Sequence, residues 1–361
     1  EFWRRQRRLA QPAFHQQRIA AYGEVMRRRT EQMLAGWQDG QELDAHAEMM
    51  SLTMAIAAET LFSADVTGGA RVVSQAMDVL LKDFVNRNRG FWIPAWVKTP
   101  SRVRAERAIR DLDGVVYTII DERRAHPEAE HGDLLAMLLA ARDEDGKGMS
   151  DRQLRDEVMT IFLAGHETTA NALSWAWMLL AQNPPAAERL GAELADVLGG
   201  RAPEAADLPA LPYTAAVISE AMRLYPPAWV IGRQAQEPVT VGGVEMRPGA
   251  GVIMSQYVMH RSPRYYADPL AFRPERWLDG LARRNPDFAY FPFGGGPRLC
   301  IGRPFALLEA ALVLAAVAQR YRLELAPGQE IRPQPSITLR PRPGVRVVLR
   351  RQPLDRGVQM G

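Results

Sequence analysis

The spacing of apolar positions predicts a chain built mostly of helices. From residue 20 to residue 125 apolar side chains recur with a period close to 3.6, interrupted around Asn86–Pro100. Inside the interruption, Phe91-Trp92-Ile93-Pro94-Ala95-Trp96 forms an aromatic patch. It is read first as core packing, and otherwise as a membrane-facing edge or part of a substrate channel. Residues 126–151 are polar and acidic, with Gly146 and Gly148, around the apolar segment Leu134–Ala141. A short helix followed by a surface loop is expected there. Ser150-Asp-Arg-Gln153 has the form of a capping box. The helix it opens should run to Gln182 and stop at Pro184-Pro185, nearly 50 Å at about 1.5 Å per residue. A second apolar run, Pro304–Ala318, predicts a packed helix with its proline in the first turn. Only over 321–350 does the pattern alternate as short strands, as in Val345-Arg-Val-Val-Leu349.

Composition narrows this picture a little. At 361 residues the chain can bury a full core, and 47% hydrophobic with 24% charged residues fits an ordinary globular protein. No run of about 18 apolar residues predicts a membrane span, and no signal-like segment opens the chain, which suits a cytoplasmic protein. The single cysteine excludes an internal disulfide scaffold. No repeat or linker divides residues 1–361, so one domain is expected. The net charge of +3 hides an imbalance, because residues 1–30 hold eight arginines against Glu1 and Glu24. That face is read as solvated or as a dock for an acidic protein. Without a recognition motif or stacking platform it does not predict nucleic-acid binding.

Two local departures from ordinary packing point to chemistry. The only cysteine lies in Phe291-Pro-Phe-Gly-Gly-Gly-Pro-Arg-Leu-Cys300-Ile-Gly302, among four glycines and two prolines and just before an apolar helix. Glycines permit close approach of a bound group. Free N–H groups at the helix start favour a thiolate; a small buried hydrophobe is the alternative. The other departure is Ala164-Gly-His-Glu-Thr168-Thr in the apolar middle of the long helix, where a glycine, an acid and hydroxyls are costly. His166-Glu167 begins a zinc-protease motif, but the second histidine would fall at Ala170, so that reading fails.

Phe293, Gly296, Arg298, Cys300 and Gly302 fill every fixed position of the cysteine loop of the cytochrome P450 superfamily, and the chain resembles its soluble bacterial-type members. The resemblance implies a mainly α fold with small β-sheets, in a single haem domain. It makes Cys300 the axial thiolate ligand of the iron of haem b, with Arg298 paired to a propionate. Trp3 and Arg7, followed by Gln11-Pro-Ala-Phe14, resemble the family's Trp-x-x-x-Arg helix, whose side chains reach a propionate. Arg233 is a further propionate candidate by position. Ala164 and Gly165 would let the long helix graze the haem. Thr168 would hold water beside bound oxygen and Glu167 would link that water to solvent, while Thr168 can also bond back to its own helix. His166 is expected to pack. Glu220 and Arg223 resemble the family's Glu-x-x-Arg, and Pro274-Glu275-Arg276-Trp277 would supply Arg276 to close a network behind the cysteine loop. Val158, Ile161, Phe162, Ala164 and Trp229 suggest an apolar substrate pocket.

The implied reaction is insertion of one oxygen atom from dioxygen into an apolar substrate, by hydroxylation or epoxidation. Electrons would come from NAD(P)H through a ferredoxin or flavodoxin with its reductase, or through a fused reductase domain. An acidic partner would dock on the helix of Trp3, Arg4 and Arg5. Fatty acids, terpenoids, steroids, carotenoids and macrolides all suit such a pocket, and Tyr225-Pro-Pro-Ala-Trp229 is similar to bacterial carotenoid-hydroxylating relatives. A peroxide-dependent or isomerising enzyme is the nearest alternative, opposed by the Glu167–Thr168 pair. A non-catalytic haem-binding or interaction protein is another, and a cysteine hydrolase lacks a partnered histidine. Family analogy also implies roughly 80 to 100 residues ahead of the Trp3 helix, absent from this sequence.

Overall fold

A computed structural model describes residues 2–62, 76, 79–80, 83, 97, 99–125 and 133–352. The aromatic patch Phe91–Trp96 lies outside the described residues. Helices α1 (Phe2–Ala10), α2 (Gln16–Ala35), α3 (Ala45–Phe62), α4 (Pro100–Ala125) and α5 (Leu134–Ala140) precede the long helix α6 (Asp151–Gln182). Then come α7 (Pro184–Leu198), α8 (Pro212–Leu224) and, after the cysteine, α9 (Arg303–Arg320).

The ends of α6 follow from local chemistry. Gln153 N–H donates to the Ser150 hydroxyl at 3.3 Å, and Ser150 N–H donates to the Gln153 side chain at 2.9 Å, so two otherwise orphaned donors are satisfied. At the far end Pro184 and Pro185 cannot continue the ladder and instead start α7.

Each half of α6 carries its own apolar cluster. The first half, with Val158 and Phe162, packs with Leu112 and Ile120 of α4, Leu134 and Leu135 of α5 and Ala57 of α3. The second half, with Leu173, Trp175 and Leu179, packs with Met26 of α2, Met49 of α3, Val217 of α8 and Val313 of α9. Each fully buried side chain of this size contributes about 1.5–3 kcal/mol of transfer free energy, so α6 is held from both ends and its middle is left to other uses.

The strands are few and antiparallel. β1 (Glu42–Asp44), β9 (Arg346–Arg351) and β6 (Tyr321–Leu325) form a three-stranded sheet in the order β1–β9–β6, with Leu43 opposite Val347 and Leu323 opposite Leu349. β2 (Ile231–Gln234) pairs with β5 (Gly251–Met254), and β3 (Val239–Val241) with β4 (Val244–Met246). β7 (Arg332–Pro335) and β8 (Leu339–Arg342) make a hairpin turning at Ser336–Thr338. It is fixed against α6, because Trp175 Nε1 donates to the Leu339 carbonyl at 3.0 Å and Leu339 N–H donates to the Pro227 carbonyl at 2.9 Å. No helix among the described residues is long and apolar enough to cross a membrane.

Candidate functional site

The cysteine loop owes its shape to its glycines. Gly294 and Gly296 sit at φ of +73° and +63°, closed to most side chains, and a Cβ on Gly295 would lie 2.2 Å from the Phe288 ring. Gly294 N–H donates to the Phe291 carbonyl at 2.9 Å and Cys300 N–H to the Phe293 carbonyl at 3.0 Å, which folds the loop back on itself. Cys300 is exposed, yet enough protein surrounds its sulfur that burial pushes the thiol up; the N–H groups of Gly302 and Arg303 and the charge of Arg7 oppose this without reversing it. The free N–H groups thus favour the thiolate as expected, but burial outweighs them. A coordinating metal ion deprotonates a thiol outright.

Three of the expected propionate partners meet at the cysteine loop. The Arg298 guanidinium lies 3.9 Å from the Trp3 ring centroid, and Arg7 is close enough to act on Cys300. Neither arginine has an ion pair with a carboxylate among the described residues. Arg233, on β2, is exposed and donates to its neighbouring Gly232 carbonyl at 2.7 Å; no contact among the described residues joins it to the other three.

The middle of α6 turns an open stripe away from the core. Thr160 and Ala164 are exposed and Ile161, Gly165 and Thr168 half-buried, while Glu167 and residues 169–180 are buried. Thr168 donates to the Ala164 carbonyl at 2.7 Å and Thr169 to the Gly165 carbonyl at 3.1 Å, the back-bonding that helical threonines favour. Two expected pocket residues are corrected. Val158 and Phe162 are 1% and 6% exposed and pack in the core, one helical step off the open stripe. His166 packs too, stacked on Phe162, and its carbonyl accepts from Thr53 of α3 at 2.9 Å. Trp229 donates from Nε1 to the Ser336 carbonyl at 2.9 Å.

Glu167 is not open to solvent. It is buried, and its Oε1 accepts from Arg340 Nε at 2.7 Å and from the Thr338 hydroxyl. Asn171 Nδ2 donates to that same hydroxyl at 3.1 Å. Burial pushes the carboxyl up, but Arg340, Thr338 and His166 outweigh it and hold Glu167 below the usual carboxylate range. The expected direct link to solvent is thus replaced by a clamp on the β7–β8 hairpin. No local signal marks Thr338 or Arg340 as its partners.

Behind the loop, Glu220, Arg223 and Arg276 meet. Arg223 bonds both oxygens of Glu220 at 2.8 Å and Arg276 Nε adds one at 3.0 Å; Arg273 N–H and Trp277 Nε1 complete the shell. Two buried groups have no motif in the sequence. His260 Nε2 accepts from Phe291 N–H at 2.9 Å. Glu309 of α9 is 1% exposed and pushed well above the usual carboxylate range by burial, opposed only by the Thr169 hydroxyl.

The arginine-rich helix is partly spoken for. Arg5 Nε pairs with Asp143 at 2.7 Å and Arg8 pairs with Glu144, around a cleft of about 500 Å³ between α1 and residues 141–145. Arg4 stays exposed. Arg5 is thus engaged within the chain, and Arg4 is left as an open cation on this helix.

The family model for cytochrome P450 matches residues 1–348. Cyclooctatin synthase of Streptomyces melanosporofaciens is 43% identical over 339 residues, covering 93% of this chain and 74% of that protein. Cyclooctat-9-en-7-ol 5-monooxygenase of the same organism is 38% identical, covering 90% and 71%, and pentalenene oxygenase of Streptomyces avermitilis is 36% identical, covering 91% and 74%. This chain belongs to the cytochrome P450 family. It is an oxygenating oxidoreductase that uses haem and NAD(P)H-derived electrons passed on by a reductase partner.

The residues present fit a haem. A small residue, Ala164, lies exposed on the open stripe of α6, Cys300 is exposed within surrounding protein, and the two arginines near the loop lack carboxylate partners among the described residues. Among the described residues no group of three His, Cys, Asp or Glu is placed to hold a metal ion.

Proposed function

We propose that this enzyme inserts one oxygen atom from dioxygen into an apolar, cyclic terpenoid-type substrate, by hydroxylation or epoxidation, with Cys300 as the thiolate ligand of haem b iron. The observation that carries the reading is the open stripe of α6 at Thr160, Ile161, Ala164 and Thr168, together with the exposed Cys300. Ile161 and Leu163 of α6 and Ile301 of the cysteine loop all pack on one apolar cluster, which supports a common cleft. When bound, haem supplies the iron that activates dioxygen.

The chain's own residues bind, orient and manage protons. Trp3, Arg7 and Arg298 hold propionates, a task suited to guanidinium forks without carboxylate partners. Arg233 is an outer donor. Thr168 has committed its proton to the Ala164 carbonyl, so toward the cleft it offers an acceptor that orients a water O–H. Glu167 stays ionised as a fixed negative charge behind that face, and Arg340 sets where the charge sits. Ile161, Ala164 and Trp229 supply apolar walls. Relatives named for cyclooctat-9-en-7-ol and pentalenene support a cyclic hydrocarbon skeleton as substrate. The electron donor is an acidic ferredoxin or flavodoxin that approaches α1 at Arg4, in a cytoplasmic setting.

The test uses the haem-loaded full chain with ferredoxin, reductase and a panel of cyclic terpene hydrocarbons, their alcohols, fatty acids and steroids. A cyclic terpenoid should shift the haem to high spin and gain one labelled atom from isotopic dioxygen, dependent on NAD(P)H. Cys300→Ala should abolish both product and the absorption band of the reduced carbon monoxide complex that marks thiolate ligation. Turnover with peroxide alone, and none with NAD(P)H, overturns the proposal, as does a thiolate band that survives Cys300→Ala.

A further inference from the structure

His260 caps the one-turn helix Gln256–Met259 and is fully buried between α8 and the segment entering the cysteine loop. Its two polar ends do different work. Its carbonyl accepts from Arg223 Nη1 at 2.8 Å, and its ring Nε2 accepts from Phe291 N–H at 2.9 Å. A backbone N–H can only donate, so Nε2 is unprotonated and the ring proton sits on Nδ1. Nδ1 makes no hydrogen bond of good geometry, although the Met222 carbonyl lies near enough to favour its proton. The rings of Tyr290 and Phe291 flank it at 5.0 and 5.3 Å. Burial, then the charges of Arg223 and Arg261, keep it neutral, with its pKa lowered to about 3.

The hydrogen bonds continue from Phe291 to the cysteine. Phe291's carbonyl accepts from Gly294 N–H, and the other end of that same peptide unit, the Phe293 carbonyl, accepts from Cys300 N–H. A continuous path thus runs from Glu220 through Arg223, His260, Phe291 and one peptide plane to Cys300. Phe291 N–H has no strand or helix partner, so without the imidazole this buried donor would be orphaned.

We propose that His260 is a positioning residue for Cys300: its neutral ring anchors Phe291, and through the Phe293–Gly294 peptide it fixes the direction in which the cysteine presents its sulfur. The proposal rests on Cys300 as the iron ligand, and it goes beyond that reading by making the ligand's geometry depend on one distant ring.

The test compares haem-loaded wild type with His260→Phe, which fills the space but accepts no hydrogen bond, and His260→Gln, whose side-chain oxygen can replace Nε2. In His260→Phe the Phe291 amide should exchange roughly tenfold faster, and part of the reduced carbon monoxide complex should lose the thiolate band. His260→Gln should restore both. A His260→Phe protein with wild-type exchange and band overturns the proposal, as does a His260→Gln protein no better than it. Should His260→Phe fail to fold, ring-nitrogen NMR of the wild-type carbon monoxide complex decides. An unprotonated, hydrogen-bonded Nε2 at neutral pH supports the proposal, and a protonated Nε2 overturns it. If Cys300 were not the ligand, the wild type itself would lack the thiolate band, so the two failures are distinct.

Discussion

The loop that carries Cys300 and the open middle of α6 are held by opposite means. Behind the loop a single buried carboxylate, Glu220, takes five hydrogen bonds, and Arg223 passes the connection on to three backbone carbonyls, of His260, Pro269 and Ala271. In the middle of α6 the threonines spend their protons on their own helix, and Glu167 and Asn171 reach out, to the turn and strand of the hairpin. One side is overdetermined and the other only tethered. Holding the cysteine in one geometry demands the first, whereas the open stripe of α6 is left to the second.

The largest effect should come from breaking the overdetermined side. Glu220→Ala strands two buried guanidinium groups, which costs about 3–5 kcal/mol. Urea unfolding should register it, and a loss under about 1 kcal/mol would erase the contrast between the two sides. The same side should also fail in acid. His260 has a folded pKa of about 3 against an ordinary 6.5, so below about 6.5 the unfolded chain takes a proton that the folded one refuses. Stability should fall as pH drops from 6.5 toward 3, by on the order of 4 kcal/mol in all, and His260→Gln should flatten that slope.

The tethered side should give smaller changes. Arg340→Met removes one charged hydrogen bond from Glu167, for about 2 kcal/mol. Glu167 is held below its ordinary pKa, so it contributes stability above the usual carboxylate range that is lost as pH falls; the variant should lose this acid-side dependence. Product formed per NAD(P)H consumed should fall with it. Glu309→Gln should be milder still. A carboxyl raised by burial stabilises the fold while protonated and loses that contribution as pH rises, so thermal unfolding should show the variant gaining on wild type toward alkaline pH.

What could be read in the sequence was local or belonged to a family pattern. Ser150, Gln153, Pro184 and Pro185 declare the ends of α6 within a few residues of one another, and the structure follows them. Glu220, Arg223 and Arg276 come together as the resemblance implies. The face of α6 was harder. Ile161 and Phe162 are equally apolar neighbours, and only the packing of α4 and α5 decides that Phe162 turns inward. Glu167 was recognisable, whereas its clamp was not, because Thr338 and Arg340 lie 171 and 173 residues away on a hairpin. His260 lacks any periodic or motif context, and its role arises only when Phe291 is brought against it from 31 residues on. Arg5 looked like a free cation until the fold delivered Asp143.

The turn at Ser336–Thr338 joins two requirements that evolution would otherwise adjust separately. Ser336 holds the Trp229 indole, a proposed wall of the pocket, and Thr338, two residues on, holds Glu167 and Asn171. A substitution that reshapes the turn to admit a bulkier molecule therefore also disturbs the acid. Variants selected there for a new substrate should squander reducing equivalents at first, and recover economy through compensating changes at Asn171 or Arg340.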